Sequence, residues 1–169
     1  MDDLNKEILK YVISKLAEEN ISSARIVVQK IMFYLKEFGV PISYSFAPYA
    51  YGPYSKELGG DANGLVLLDQ LESSGFEYTM GQKFNYNLTE DYKEIINKKM
   101  SEVISHVDDF SFSSMELFGT TLYCIRSLEE MGIEPNEEKV LNEFKTWKGN
   151  KYSEKSVRKM FNKLRPGIS

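Results

Sequence analysis

The chain has 169 residues, 42% of them hydrophobic and 27% charged, which excludes a disordered polymer and suffices for one well-filled domain. No apolar run approaches the ~18 residues of a membrane span. The acidic start Met1-Asp2-Asp3 is unlike a basic secretory leader, so a cytoplasmic chain with no membrane partner is expected. The net charge of −4 conceals a polarity: eight basic residues from Lys145 to Ser169 stand against Glu154 alone, giving +7 there and leaving −11 on the rest. The favoured reading is a basic tail packed on its own acidic body, and the other is a nucleic-acid footprint.

Leu4, Ile8, Tyr11, Val12 and Leu16 recur at the spacing of one buried helix face and predict a helix from about Leu4 to Glu18, with Asp2 and Asp3 complementing its N-terminal dipole. Asn20 ends it, and Ser22 or Ser23 is placed to cap a second helix that buries Val27, Ile31, Tyr34, Leu35 and Phe38. On this spacing Gln29, Lys30 and Lys36 face mostly outward, and Gly39 closes the helix in the left-handed conformation.

Ile42, Tyr44 and Phe46 then alternate with Ser43, Ser45 and Ala47, the pattern of a short strand. The stretch from Pro48 to Leu58 follows, with Tyr49, Tyr51 and Tyr54 set among Pro48, Gly52 and Pro53. Pro53 suits the first turn of a helix beginning near Tyr54, and Gly52 suits a positive φ. Gly59 and Gly60 predict a kink or fray before the helix continues to about Ser73. The same glycines are no phosphate cradle, because no Gly-Lys-Ser/Thr follows. Phe76, Tyr78 and Met80, a Gly81-Gln82 turn, and Phe84, Tyr86 and Leu88 predict a β-hairpin over 76–88. Helix, helix, strand, helix and hairpin is the element order of a winged helix, although a wing whose only cation is Lys83 suits DNA poorly.

Thr89 caps a connecting helix through Tyr92, Ile96, Met100 and Val103. His106, the only histidine, reads as a dipole partner at that helix's C-terminus. Three further helices follow: one capped by Ser113 or Ser114, one opening after Pro135-Asn136, and one opening at Ser153. Cys124 falls within the first of them as an ordinary buried thiol. The expected fold class is mainly α with a small β-hairpin (α+β), a winged-helix-like part over 1–104 followed by a helical extension over 105–169 in one compact unit.

Gln29-Lys30-Ile31-Met32-Phe33-Tyr34-Leu35, the Gly39 turn, and Tyr49-Ala50-Tyr51-Gly52-Pro53-Tyr54-Ser55-Lys56-Glu57-Leu58 resemble the SocA-like antitoxin, or Panacea, domains and more closely the uncharacterised YwgA-like proteins of bacteria and archaea. The likeness spans residues 5 to about 90 and extends to Met115-Glu116-Leu117-Phe118-Gly119-Thr120 and Lys148-Gly149-Asn150-Lys151-Tyr152-Ser153 in the YwgA-like group. It implies direct binding of a partner protein, such as a cognate toxin, and no enzymatic activity. The helical tail lies beyond the minimal Panacea domain.

With one histidine, one cysteine and no phosphate or metal motif, the expected protein is a non-enzymatic binding module, antitoxin-like or adaptor, with no catalytic residues, no metal and no cofactor. Its partner-binding residues are expected at Tyr49, Tyr51, Tyr54 and Lys56, since exposed aromatics dominate interfaces. The second reading is a DNA-binding regulator using Lys151, Lys155, Arg158 and Lys159. A homodimer is compatible with either.

Overall fold

A computed structural model describes residues 2–167. Among these, seven α-helices and two small antiparallel two-stranded sheets make a mainly helical fold with a small β component. The helices are α1 (Asp2–Glu18), α2 (Arg25–Glu37), α3 (Lys56–Leu67), α4 (Glu90–His106), α5 (Phe112–Glu130), α6 (Glu137–Lys148) and α7 (Glu154–Leu164). One hairpin pairs β1 (Ala47–Tyr49) with β2 (Gly52–Tyr54), and the other pairs β3 (Leu71–Ser74) with β4 (Glu77–Met80). Met1 and the side chain of Asp2, to which a role at the start of α1 was assigned above, lie outside the described residues.

The centre of the molecule is α2. Every residue from Val27 to Leu35 is buried, because α1, α4, α5 and β2 all pack against the helix. Helix α5 packs in turn on α6 and α7. The helical spacings find part of the core: Ile8, Tyr11, Val12 and Leu16 of α1 and Val27, Ile31, Tyr34 and Leu35 of α2 are buried as read, Leu4 and Phe38 are half-buried, and Leu9, Ile13, Val28, Met32 and Phe33 are buried beside them. Gly39 closes α2 with a φ of +100°. Cys124 is buried, and burial pushes its thiol up to about 12.

Several local expectations are corrected. The alternating run 42–46 is extended but pairs with no strand. Its backbone is satisfied by side chains: Ser43 N–H donates to Asn5 Oδ1 at 3.0 Å, and Ser45 N–H donates to Glu57 Oε1 at 2.8 Å. The run 84–88 behaves alike, with Tyr86 edge-on to Tyr11 at 5.2 Å and Asn87 N–H donating to Glu7 Oε2. In both, the period of two reports a chain lying with one side against a helix, not a ladder.

The second hairpin therefore lies one strand earlier than expected. It turns at Gly75-Phe76, and α3 stops at Leu67 to free Leu71–Ser74 for pairing. The same turn caps α2: Arg25 N–H donates to Phe76 O at 2.7 Å, where a serine side chain was expected, and the N-cap residue is Ala24. Pro53 belongs to β2, and α3 is opened by Ser55, whose hydroxyl accepts from Leu58 N–H. Gly59 and Gly60 leave α3 continuous. Helix α5 is capped by Ser111 instead of Ser113 or Ser114, while Asn136 and Ser153 cap α6 and α7 as expected.

His106 ends α4, but burial lowers its basicity, with Lys163 adding to the effect against an opposing Glu102. A neutral imidazole cannot serve the helix dipole as a cation. Lys163 takes that place, donating to the His106 carbonyl at 3.1 Å.

Candidate functional site

The β1–β2 hairpin projects Tyr49 and Tyr51 into solvent, 39% and 52% exposed, while its base is bolted to the core. Two of the bolts, Gln29 and Lys30, are polar side chains that the helical spacing directed outward. Gln29 is buried and grips Ser55 on both sides, its Oε1 accepting from Ser55 N–H at 2.8 Å and its Nε2 donating to Ser55 O at 3.0 Å. Lys30, only 2% exposed, donates from Nζ to Pro53 O at 2.8 Å. Lys148 reaches from the end of α6 to donate to Ala50 O at 2.5 Å. Two hairpin positions, Ala50 and Pro53, and Ser55 just after them are thus held by side chains from two helices, and the tyrosine rings stand on a fixed platform.

The charges of these lysines converge on Glu116 of α5, which is fully buried. Its carboxylate meets Lys148 at 3.0 Å and Lys151 at 2.7 Å, and accepts from the Tyr152 hydroxyl at 2.7 Å. Burial opposes the negative charge, yet the bonds from Lys151, Tyr152 and Lys148 hold the carboxyl below the usual range. Lys30 has only Coulomb attraction to Glu116, opposed by Lys148, and burial dominates, lowering it from 10.5 to about 8.

Two glycines make room for the Lys30 stem. A Cβ on Gly119 would stand 2.7 Å from Lys30 Cδ, and one on Gly52 would stand 3.2 Å from Lys30 Cε and 3.0 Å from Thr120 Oγ1. Gly52 has a φ of +102°, as its place in the motif predicts. The Thr120 hydroxyl is buried beneath Gly52 without a hydrogen-bond partner.

The depressed basicity of Lys30 gives a test of its burial. The unfolded chain holds the Lys30 proton up to about pH 10, whereas the folded chain releases it near pH 8, so the unfolded state binds more protons in between and stability rises with pH. Above about pH 9 the unfolded Cys124 thiol ionises while the buried one does not, and the buried tyrosines act the same way at higher pH, reversing the trend. Lys30→Met removes the Lys30 contribution. Urea titrations should find the wild-type advantage over the variant growing by roughly 1 kcal/mol between about pH 8 and pH 9, and an unchanging difference would show that Lys30 does not lose its proton on folding.

The four expected contact residues do come together. Tyr49 and Tyr54 meet edge-on at 5.5 Å, and Lys56 Nζ lies 5.5 Å from the Tyr49 ring. Tyr44, in the alternating run before the hairpin, is buried and donates to Asp61 Oδ2 at 2.6 Å. Spacing did not reveal Phe112, half exposed at the start of α5 and edge-on to Tyr51 at 4.7 Å, which enlarges the aromatic surface. Lys30, Tyr49, Ala50, Tyr51, Gly52 and Tyr54 enclose a hollow of about 220 Å³ between the rings.

Of the four expected nucleic-acid contacts, Lys155, Arg158 and Lys159 share α7 at i, i+3 and i+4, and Lys151 stands apart. Lys151 joins the tyrosine site through Glu116 and lies 5.5 Å from the Tyr51 ring. Arg158 pairs with Glu137 at 3.1 Å and Glu138 at 2.5 Å, while Lys155 and Lys159 are exposed one turn apart on α7. The tail is held on its own acids by Lys145–Glu154 and Lys163–Asp108 as well.

Among the described residues no three His, Cys, Asp or Glu side chains converge to hold a metal ion, and no helix is long and apolar enough to cross a membrane. No protein-family model matches the chain, and no curated protein matches it in sequence.

Proposed function

We propose that this chain is a non-enzymatic protein-binding module of the cytoplasm, which meets its partner through Tyr49, Tyr51 and Tyr54 on the β1–β2 hairpin and Lys56 at the start of α3. The observation that supports this most is the contrast between exposed rings and a locked base: Tyr49 and Tyr51 offer large amphipathic surfaces with little conformational entropy left to lose. An antitoxin-like or adaptor role, with a toxin-class protein as partner, is the form that the resemblance to Panacea domains and YwgA-like proteins suggests.

Replacing both tyrosines by alanine should leave the melting temperature within a few degrees of wild type. Recovery of the partner from the native host should fall by ~1–3 kcal/mol in affinity, the range of interface aromatics. A melt lowered in proportion to the lost recovery would make the rings part of the core and remove this reading.

A DNA-binding regulator is the second reading, and the exposed pair Lys155 and Lys159 on α7 favours it. It ranks lower because Lys151 and Arg158 already serve carboxylates of the same chain, so phosphate contacts would have to displace those pairs. A mobility shift that weakens steeply with salt would promote it.

A further inference from the structure

Tyr54 separates two hollows. The first is the ring-walled one of about 220 Å³ above the Lys30 stem; the second, about 370 Å³, is lined by Arg25, Lys56, Tyr78 and the α3 glycines Gly59 and Gly60. The glycines explain the second hollow. A Cβ at Gly59 would stand 2.8 Å from the Tyr54 hydroxyl, and Gly60 has no side chain to fill the space beside it.

The charge of this groove opposes that of the body around it. The two linings contain Arg25, Lys30 and Lys56 and no carboxylate. The acids of the neighbouring α3 turn elsewhere: Glu57 accepts from Ser45 N–H, and Asp61 accepts from the Tyr44 hydroxyl. Glu116 below is saturated by two lysines and a tyrosine.

We infer that the groove docks an extended acidic segment of a partner protein, which places a large apolar side chain in the hollow between the tyrosines and a carboxylate against Arg25 and Lys56 in the hollow across Tyr54. This rests on the protein-binding reading and specifies its partner. The first hollow suits an apolar group because rings and a lysine stem wall it and the Lys30 ammonium is committed to Pro53 O. The second suits a carboxylate because its two cations sit on exposed side chains held near aromatic rings, Arg25 at 5.5 Å from Tyr78 and Lys56 at 5.5 Å from Tyr49. In an extended segment, alternate residues project to the same side about 7 Å apart, which lets neighbouring anchors straddle one tyrosine. A phosphate backbone fits less well, since Lys30 has no reach to solvent and one-residue hollows do not track a strand.

The test is selection of a random-peptide phage library on the intact protein, followed by fluorescence polarisation with the labelled consensus peptide. The expected consensus pairs a large apolar residue with Asp or Glu two positions away. Its binding should weaken roughly tenfold or more in Arg25→Gln/Lys56→Gln and in Tyr51→Ala, all of which alter exposed side chains. A basic or uncharged consensus that still depends on Tyr51 would overturn the acidic segment and leave the protein-binding reading standing. Peptides indifferent to Tyr51, or no enrichment, would overturn both. Tighter binding of labelled oligothymidylate with the same losses would assign the groove to nucleic acid and overturn it too.

Discussion

Glu116→Gln should lower the unfolding free energy by about 3–5 kcal/mol, the loss expected when one partner of a buried ion pair is removed. The exchange hardly changes volume, so the effect is electrostatic. Glutamine leaves Lys148 and Lys151 without their anion, and Lys30, already disfavoured by burial, without the negative charge that helps keep it protonated. The wild-type carboxyl is held below the usual range, so its contribution is present at neutral pH and fades as pH falls through its folded-state value. The difference between variant and wild type should therefore narrow in acid. Urea unfolding at neutral and acidic pH measures both, and a variant as stable as wild type at neutral pH would mean that the lysines are satisfied without Glu116.

Gly52→Val should cost roughly 2–6 kcal/mol, from two sources. A β-branched residue at a φ of +102° carries ~1–3 kcal/mol of backbone strain. Its Cβ also meets Thr120 Oγ1 at 3.0 Å and Lys30 Cε at 3.2 Å, and overpacking of this kind adds ~1–3 kcal/mol because a lysine wedged between Gly119 and the hairpin cannot withdraw. Gly39→Val separates the two. Gly39 has nearly the same φ, +100°, but nothing within 4 Å of a built Cβ, so it should lose only the backbone share. Equal losses at both glycines in thermal melts would remove the packing argument for Gly52.

These effects trace to residues that periodicity misreads. Most of the buried stripes of α1 and α2 are legible because a helix against a core must repeat its apolar side chains every three to four residues. Gln29 and Lys30 follow the same rule in reverse and read as solvent-facing. They are buried because the surface opposite them is a hairpin whose carbonyls and amides need partners, and no spacing within α2 announces that. The available signal was indirect: Gly119 in the middle of a helix weakens it by about 1 kcal/mol, which marks a close approach, and Gly52 before Pro53 marks an unusual backbone. Glu116, read only as part of a resemblance, is the residue that ties the tail to the tyrosine site.

The strand errors share one cause. The runs 42–46 and 84–88 alternate because each lies with one side against a helix, and a period of two does not distinguish that from pairing in a sheet. Leu71–Ser74, the strand that does pair, was absorbed into α3 because Leu65, Leu68 and Leu71 continue a helical stripe. The Tyr49–Tyr51 stretch is legible as a turn, because a tight aromatic segment with glycine and proline has few other conformations, but the pairing of β1 with β2 around it is not, and Pro53 reads as a helix opener instead of a strand residue.

The central claim is that the tyrosine hairpin, and not the basic tail, meets the partner. A photo-crosslinking residue, p-benzoylphenylalanine, placed at Tyr51 in one variant and at Lys155 in another would test it in the native host. The account predicts a discrete protein adduct from position 51 that disappears when Tyr49 is also replaced by alanine, and no comparable adduct from position 155. A protein or nucleic-acid adduct from position 155 alone, with position 51 silent, would contradict it.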